Sequence, residues 1–510
     1  MSKWRHNMFE IKNMDIYIYP KYLVKNLSIT LNRGDKLAII GEEGSGKSTL
    51  LKAILDTCDY AVVSGSINFH GNKVGYLEQS TSDSDLLKKV WDYIFKDDMD
   101  YYHKVGNLYK YLERLKLNDS ILDQVINTLS GGEKVKIRIL KLLLEDVDIF
   151  LLDEPTNDLD IETLEWLESF INRTDKPVIY ISHDETLLSN TANMILHLEQ
   201  IKRKAECRHT ILRLGYDAYI KERLEKLKHQ TQIARLEKRE YKKKNEKLQQ
   251  IMQKVAYQQN TISRSDPHGA RLLKKKMHSL KSQQKKLKNS DLVELPDVEE
   301  AITFAFEEIS VPKAKTILKL DMPILQVQDK ILSKNIKLDV IGPQHICIVG
   351  DNGIGKTTLI RNIFQKLEDR RDIKLGYMPQ VYEDILCDYE NVLDFISREK
   401  SKDMLTKARM YLGNMKFTED EMMGKISDLS NGTKAKLILM KFVLDKCDVL
   451  LLDEPTRNVS PLSNPVIRNV LKEFKGVIIS ISHDRKYIQE VIDQNLLKIP
   501  PTLYDLLFLH

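Results

Sequence analysis

The sequence repeats itself. GEEGSGKS (Gly41–Ser48) returns as GDNGIGKT (Gly350–Thr357), and LSGGE (Leu129–Glu133) returns as LSNGT (Leu429–Thr433). IFLLDEPT (Ile149–Thr156) returns as VLLLDEPT (Val449–Thr456), and ISHD (Ile181–Asp184) recurs unchanged at Ile481–Asp484. Ser130 lies 24 residues before Glu154, as Ser430 does before Glu454, and each glutamate lies 29 residues before a histidine, His183 or His483. Four motifs in one order, the last three at one spacing, require two copies of a single fold. The boundaries read as 1–215 and 299–510.

Local patterns give those halves a class. Lys36–Ile40 and His345–Val349 are short apolar runs entering a glycine loop, and Ser48–Leu55 and Thr357–Phe364 leave it with helical spacing. Ile149–Asp153, Val449–Asp453, Val178–Ser182 and Val477–Ile481 read as strands buried on both faces, the mark of a parallel sheet. Strands alternating with helices make each half an α/β domain.

The glycine loops carry chemistry. GxxxxGK[ST] between a strand and a helix turns backbone N–H groups toward a phosphate; its lysine reaches the outer phosphates of a nucleotide and its hydroxyl ligates Mg²⁺. The residues so assigned are Gly41, Gly44, Ser45, Gly46, Lys47, Ser48 and Thr49, and in the second half Gly350, Asn352, Gly353, Gly355, Lys356, Thr357 and Thr358. Asp153 and Asp453 end apolar strands where the Mg²⁺ shell needs a carboxylate. Glu154 and Glu454 follow directly, where a carboxylate can polarise an attacking water. A solvated charge at a strand end is the plain alternative, and recurrence at one offset weighs against it.

The segment between the halves differs in kind. At roughly 100–200 residues per domain, 510 residues leave room for it. Residues 221–290 hold 21 Lys/Arg against 6 Asp/Glu, a surplus of +15 in a chain of net charge +5, which leaves the remainder at −10. From Asp217 to Val255 the pattern predicts a helix with a narrow apolar stripe of Leu224, Leu227, Ile233, Leu236, Leu248, Ile251 and Val255. At ~1.5 Å per residue it is about 55–60 Å long. A loop is expected over Ala256–Ser265. Asp266-Pro267 then resembles a cap and first turn opening a second helix, lined by Leu272, Leu273, Met277, Leu280 and Leu287. The two would form an antiparallel coiled-coil hairpin as a linker over 216–298, ending near the acidic stretch Asp291–Glu300.

Lys242, Lys243, Lys244, Lys274, Lys275, Lys276, Lys285, Lys286 and Lys288 suit contacts to a phosphate backbone, which position a protein on RNA without reading sequence. A solvated coiled-coil face is the ordinary alternative, but the surplus is of one sign. Tyr257, Gln258, Gln259, Asn260, Thr261, Ile262 and Arg264 at the expected tip combine groups that stack on unpaired bases or bond their edges. An ordinary polar turn is the alternative there.

Ser130-Gly131-Gly132 after a leucine, followed by Lys134 and Lys136, resembles the signature of the ATP-binding-cassette superfamily. The resemblance implies two tandem ABC-type nucleotide-binding domains that hydrolyse ATP with Mg²⁺. It implies catalytic roles for Glu154, Glu454 and the switch histidines His183 and His483. Gln79 in GYLEQ and Gln380 in GYMPQ match the glutamine that contacts ATP and its metal. In that family the signature of one domain covers ATP bound to the other, so Ser130, Gly131 and Gly132 would face Lys356, while Ser430, Asn431 and Gly432 would face Lys47. Tyr17 and Tyr19 are the candidates for the adenine-stacking aromatic, with a plain strand-face reading equally open; the second half has no aromatic between Met322 and Gly350.

Two cassettes around a basic linker resemble the ABC-F subfamily over nearly the whole chain. Members bind the ribosome, and their linker enters the tRNA exit site toward the peptidyl-transferase centre. EPTRNVSPLS (Glu454–Ser463) is similar to the second cassette of the antibiotic-resistance members, which protect against lincosamides, pleuromutilins and streptogramin A. That implies the bacterial ribosome as partner, through 23S rRNA and tRNA in the exit or peptidyl site. A housekeeping translation factor of the subfamily is the alternative. Only 50 residues separate Gln79 from Leu129, too few for the arm insertion of such factors, and 27 follow His483. The chain departs from the pattern at Asn157-Asp158-Leu159-Asp160, at the signature Ser430-Asn431-Gly432-Thr433, and at Arg457–Ser463, which lacks an aspartate. Two unequal ATP sites are therefore expected, the one at Lys356 the faster.

No apolar run reaches the ~18–20 residues of a membrane span. Met1–Asp15 lacks the apolar core of a signal peptide. Five scattered cysteines without a CxxC pair fit reduced core thiols and a cytoplasmic location. A transporter ATPase would need membrane partners and no basic hairpin. DNA-maintenance ATPases split one cassette around a far longer coil, so no DNA partner is expected. The two cassettes would pair within one monomer.

Overall fold

The computed structural model describes residues 7–79, 81–95, 101–157, 159–201, 206–261, 267–288, 311–327, 330–387, 389–397, 402–414, 417, 419–457, 459–492 and 495–499. Asp158, Ile262, Arg264, Asp266 and Asp291–Glu300 lie outside them. The chain divides into two units: Met1–Tyr216 with Glu299–His510, and Asp217–Val298.

In the first unit each half is built on a mainly parallel sheet. The first sheet runs Val74–Leu77, Ile149–Asp153, Val178–Ile181, Lys36–Gly41, Met194–Ile201 and Glu206–Leu212, the last strand antiparallel. The second runs Leu375–Met378, Val449–Asp453, Val477–Ile481, His345–Val349 and Asn495–Lys498. Apolar runs without alternation become strands covered on both faces: every residue of Ile149–Asp153 and of Val449–Asp453 is buried. Register decides the rest. Ile181 lies opposite both Asp153 and Ile39, and Ile481 opposite both Asp453 and Ile348. Three motifs far apart in sequence therefore end side by side at the carboxyl edge of neighbouring strands, where ligands bind in such sheets.

An antiparallel layer flanks each loop. Lys21–Asn32, Asn7–Ile18 and Val62–Asn68 form it in the first half, and Thr316–Val327 with Lys330–Ile341 in the second. Leu23 and Leu332 come from these strands and press on the third loop glycine. Gly46 has φ +97° and Gly355 φ +98°, and a Cβ there would stand 3.1 Å from Leu23 or 2.9 Å from Leu332. Any other residue would meet a strained backbone and a crowded neighbour, too close at Gly355 and tight at Gly46.

Among the described residues the second unit is made of two helices, Tyr216–Thr261, whose first residue belongs to the first unit, and Pro267–Lys288. The first corrects two expectations. It spans 46 residues and continues through Ala256–Thr261, where a loop was expected. That stretch contains no glycine or proline to stop it, and Thr261 Oγ1 donates to the Tyr257 carbonyl at 3.0 Å. At ~1.5 Å per residue the helix is roughly 69 Å long. Its seam also differs. Leu224, Leu236 and Ile251 are exposed, whereas Ala234, Tyr241, Asn245, Leu248, Met252 and Val255 are covered. With Glu237, also covered, this set steps by three and four residues from Ala234 to Val255, as a coiled-coil seam must, and this spacing outranks apolar character. In the second helix Leu273, Met277, Leu280, Gln284 and Leu287 follow the same steps, and Leu272 is exposed.

Cys347 and Cys447 are core residues, and burial pushes both thiols up to about 12. Cys387 is exposed, against the expectation of a core thiol. Among the described residues no helix is long and apolar enough to cross a membrane.

Candidate functional site

Each glycine loop starts a helix, Lys47–Ile54 or Lys356–Leu367, and holds its lysine inward. Lys47 Nζ donates to the carbonyls of Gly41 and Glu42 at 2.9 and 3.0 Å, and Lys356 Nζ to those of Gly350 and Asp351 at 2.7 and 2.8 Å. Burial lowers the pKa of both ammonium groups. A polyphosphate beside them would favour their charged form. Ser45 is buried under the first loop. Thr49 follows Ser48 in the first helix, its hydroxyl 3.5 Å from that of Tyr60, and Thr358 lines the cavity of the second half.

The hydroxyl next to each lysine meets the strand-end aspartate. Ser48 Oγ donates to Asp153 Oδ1 at 3.0 Å, and the Thr357 hydroxyl bonds Asp453. Burial raises both aspartates. Asp453 Oδ2 is buried without a hydrogen-bond partner. A hydroxyl beside an incompletely satisfied carboxylate fits Mg²⁺, which takes one or two protein oxygens and completes its shell with water and phosphate. Ser48 with Asp153, and Thr357 with Asp453, would hold it. Bound there, it neutralises charge on the phosphates. Gln79, expected as a further ligand, donates its amide to Glu154 Oε2 at 3.0 Å, and Gln380 lines the second cavity.

The two glutamates share a backbone and differ in surroundings. Glu154 and Glu454 have φ +47° and +54°, a left-handed conformation rare for residues with a Cβ. Such strain persists where the surrounding structure enforces it. Glu154 meets His183 Nε2 at 3.3 Å and accepts from Asn157 Nδ2 at 2.8 Å. Burial opposes its ionisation, but His183, Asn157 and Lys47 outweigh that and bring it down to about 2. Glu454 accepts from the His483 backbone N–H at 3.3 Å, and His483 Nε2 stands 3.9 Å away. Burial and the Asp453 carboxylate push Glu454 up to about 8, while burial and Lys356 bring His483 down to about 4.

The halves complete each other's sites. A cavity of about 440 Å³ is lined by Asn352, Gly353, Gly355, Lys356, Gln380, Glu454 and His483 from the second half and by Gly131, Asn157 and Leu159 from the first. Its size suits a nucleotide. On the other side Gly432 N–H donates to Glu43 Oε2 of the first loop at 3.0 Å, and His183 Nδ1 lies 3.0 Å from the Val459 carbonyl. The signatures open the helices Gly131–Leu144 and Asn431–Leu444. Ser130 forms a reciprocal cap with Glu133, its N–H meeting the Glu133 carboxylate at 2.9 Å. The Ser430 hydroxyl meets the hydroxyl of Thr433 at 2.8 Å and accepts from its N–H at 3.2 Å.

Tyr19 stands 86% exposed in the turn after Asn7–Ile18, two residues before Lys21, whose ammonium donates to Gln200, which in turn donates to the Gly44 carbonyl of the first loop; Tyr17 packs on Tyr22 with ring centroids 4.9 Å apart. Three site residues escaped the sequence reading. Asn157 anchors Glu154. Tyr76 donates to Asp153 Oδ2 at 3.3 Å. Leu332 offers the second cavity an apolar wall. Tyr76 had a signal, since GY recurs in GYLEQ and GYMPQ, and Asn157 opens the stretch 157–160 compared above with the family pattern; Leu332 had none.

The family described as ABC transporter matches residues 24–157 and 333–457. Along nearly its full length the chain is similar to the ATP-binding protein Uup of Buchnera aphidicola (27% identity, 95% of this chain, 79% of that protein). It is 26% identical to the probable ATP-binding protein YheS of Escherichia coli K12 (95% and 78%), and 25% identical to ABC transporter F family member 2 of Arabidopsis thaliana (92% and 76%). The fold matches a solved archaeal ribosome recycling factor with TM-score 0.55 at 18% identity, over 95% of this chain and 87% of that one. The cassettes hydrolyse ATP. The chain belongs to the ATP-binding-cassette family, with two tandem cassettes joined by a helical linker, and its full-length relatives support the F subfamily.

Proposed function

We propose that this chain is a ribosome-binding ATPase that protects the peptidyl-transferase centre from lincosamide, pleuromutilin and streptogramin A antibiotics. The observation that carries the reading is the one-signed basic unit between the cassettes. Lys242, Lys243, Lys244, Lys274, Lys275, Lys276, Lys285 and Lys286 are all exposed, an arrangement suited to an RNA backbone. ATP closes the cassettes on each other, with Glu154 and Glu454 polarising water beside His183 and His483. The closed form fits the tRNA exit site against 23S rRNA, and the linker displaces or reshapes the tRNA end and the drug pocket. Hydrolysis opens the pair and releases it, so ATP works a two-state switch. The resistance reading rests on the likeness of Glu454–Ser463. Solved relatives of the double-cassette fold include a ribosome recycling factor, and that likeness supports the fold alone.

The test is co-sedimentation of the Glu154→Gln/Glu454→Gln chain with ribosomes and ATP; a chain left in the supernatant defeats the ribosome reading. For resistance, replacing Tyr257–Ile262 by Gly/Ser is expected to leave ATP hydrolysis intact and abolish protection in a panel of inhibitory concentrations. Tyr257 is 71% exposed on the last turn of its helix, available for stacking. Parent chain that raises no inhibitory concentration points to the housekeeping alternative.

A further inference from the structure

The halves meet through two ion-pair clusters related by the internal repeat. In one, Arg468 donates from Nη1 to Glu185 Oε1 at 2.5 Å and from Nη2 to Glu185 Oε2 at 3.2 Å, and Lys486 Nζ stands 3.4 Å from the same carboxylate. In the other, Arg485 donates to Glu168 and lies 3.5 Å from Asp184. Each arginine comes from the second half and each glutamate from the first. The side chains are well covered: Arg468 is 3% exposed, Glu185 5%, Glu168 13% and Arg485 18%.

The repeat makes these positions equivalent. Residue 168 corresponds to 468 and residue 185 to 485, at the same offset of 300 that relates Glu154 to Glu454 and His183 to His483. Supporting groups correspond too. Asn190 Nδ2 donates to Glu168 Oε2 at 3.0 Å, and its counterpart Glu490 accepts from Arg468 Nε at 2.8 Å. Within the repeat, both positions are glutamate in the first half and arginine in the second. Asp184 and Asp484 are the same in both halves, so they do not discriminate.

We propose that this exchange of charge is a pairing code that admits only first-half-to-second-half association and excludes like-with-like pairing of cassettes. Two first halves brought together in this geometry would set Glu168 against Glu185 twice, with Asp184 beside them and no arginine. Two second halves would set Arg468 against Arg485 twice, with Lys486 beside them, eased in part by Glu490 and Asp484. Unpaired like charges at so covered a contact are strongly unfavourable, and such repulsion rejects wrong partners more effectively than added attraction does. Because the two cassettes share one fold and near-identical motifs, shape alone would not make this distinction. The partner this face selects is an arginine-bearing cassette for the first half and a glutamate-bearing cassette for the second.

Charge exchange in the full chain tests the code. Glu168→Arg/Glu185→Arg and Arg468→Glu/Arg485→Glu each make the two halves alike, and each is expected to lower steady-state ATP turnover at least about tenfold. Combining all four exchanges the code without changing its logic, and should restore turnover to within about threefold of the parent. A fourfold variant no more active than the weaker half-reversed chain overturns the proposal, as do half-reversed chains of parental activity. Should a half-reversed chain lose its circular-dichroism melt, the less covered pair decides by itself. Glu168→Arg and Arg485→Glu should each lower turnover severalfold and Glu168→Arg/Arg485→Glu should recover it. A double variant no better than either single one refutes the code.

Discussion

Glu154 and Glu454 end the same sequence, LLDE, on strands buried to the same degree, yet the first is held ionised and the second protonated at neutral pH. The difference begins at the histidine, since His183 Nε2 meets Glu154 at 3.3 Å while His483 Nε2 stands 3.9 Å from Glu454, and it continues one turn beyond each glutamate. Asn157 donates to Glu154, whereas its counterpart is Arg457, whose charge only partly offsets the burial of Glu454. The facing halves add a second asymmetry of opposite sense. The site at Lys356 faces the reciprocally capped Ser130 and feels the carboxylate of Asp160; the site at Lys47 faces Ser430, and its corresponding residue Ser460 carries no charge. One site has the better-poised base, and the other the better-built partner. Tandem copies of one fold can thus diverge without moving a strand.

The largest expected effect comes from removing one base at a time. Glu154→Gln or Glu454→Gln should slow hydrolysis at its own site by about 10²–10⁴, the range of a positioned acid–base group. Single-turnover traces then report the remaining site, and we expect the site at Lys356 to be the faster. Equal residual rates would abolish the comparison.

A pH series sharpens it. A carboxyl near 8 is ionised to roughly a tenth at pH 7 and roughly nine-tenths at pH 9, and only the ionised form accepts a proton. The Glu154→Gln chain, turning over at Glu454, should therefore gain up to about tenfold in rate between pH 7 and 9. The Glu454→Gln chain, relying on a carboxylate near 2, should stay level. Parallel profiles would break the contrast between the two bases.

The smallest change tests the signatures. Asn431→Gly/Thr433→Glu gives the second signature the residues of the first, including the reciprocal cap, typically worth about 1 kcal/mol. Measured in the Glu454→Gln background, the site at Lys47 should accelerate a fewfold, with no change at the other site in the Glu154→Gln background. An unchanged rate would place the asymmetry elsewhere.

Much of this was readable in advance because the motifs act locally. A glycine loop, an apolar run ending in Asp-Glu and a histidine after the next strand each declare themselves within about ten residues. The linker was legible as helix and charge. Its seam and end were not, because apolar character at Leu224, Leu236 and Ile251 competes with a three-and-four spacing that admits Tyr241 and Asn245.

From sequence alone, the duplication, the α/β class of each half, the phosphate chemistry and the unequal signatures were determined, since each depends on residue type at short spacing. The tertiary structure alone decided which residues share a site. Gly432 meets Glu43 across 389 positions, Arg468 meets Glu185 across 283, and Glu154 and Glu454 acquire different charge states from neighbours that local pattern does not specify. Burial and contact between halves set those properties, and both exist only once two distant stretches of chain are folded against each other.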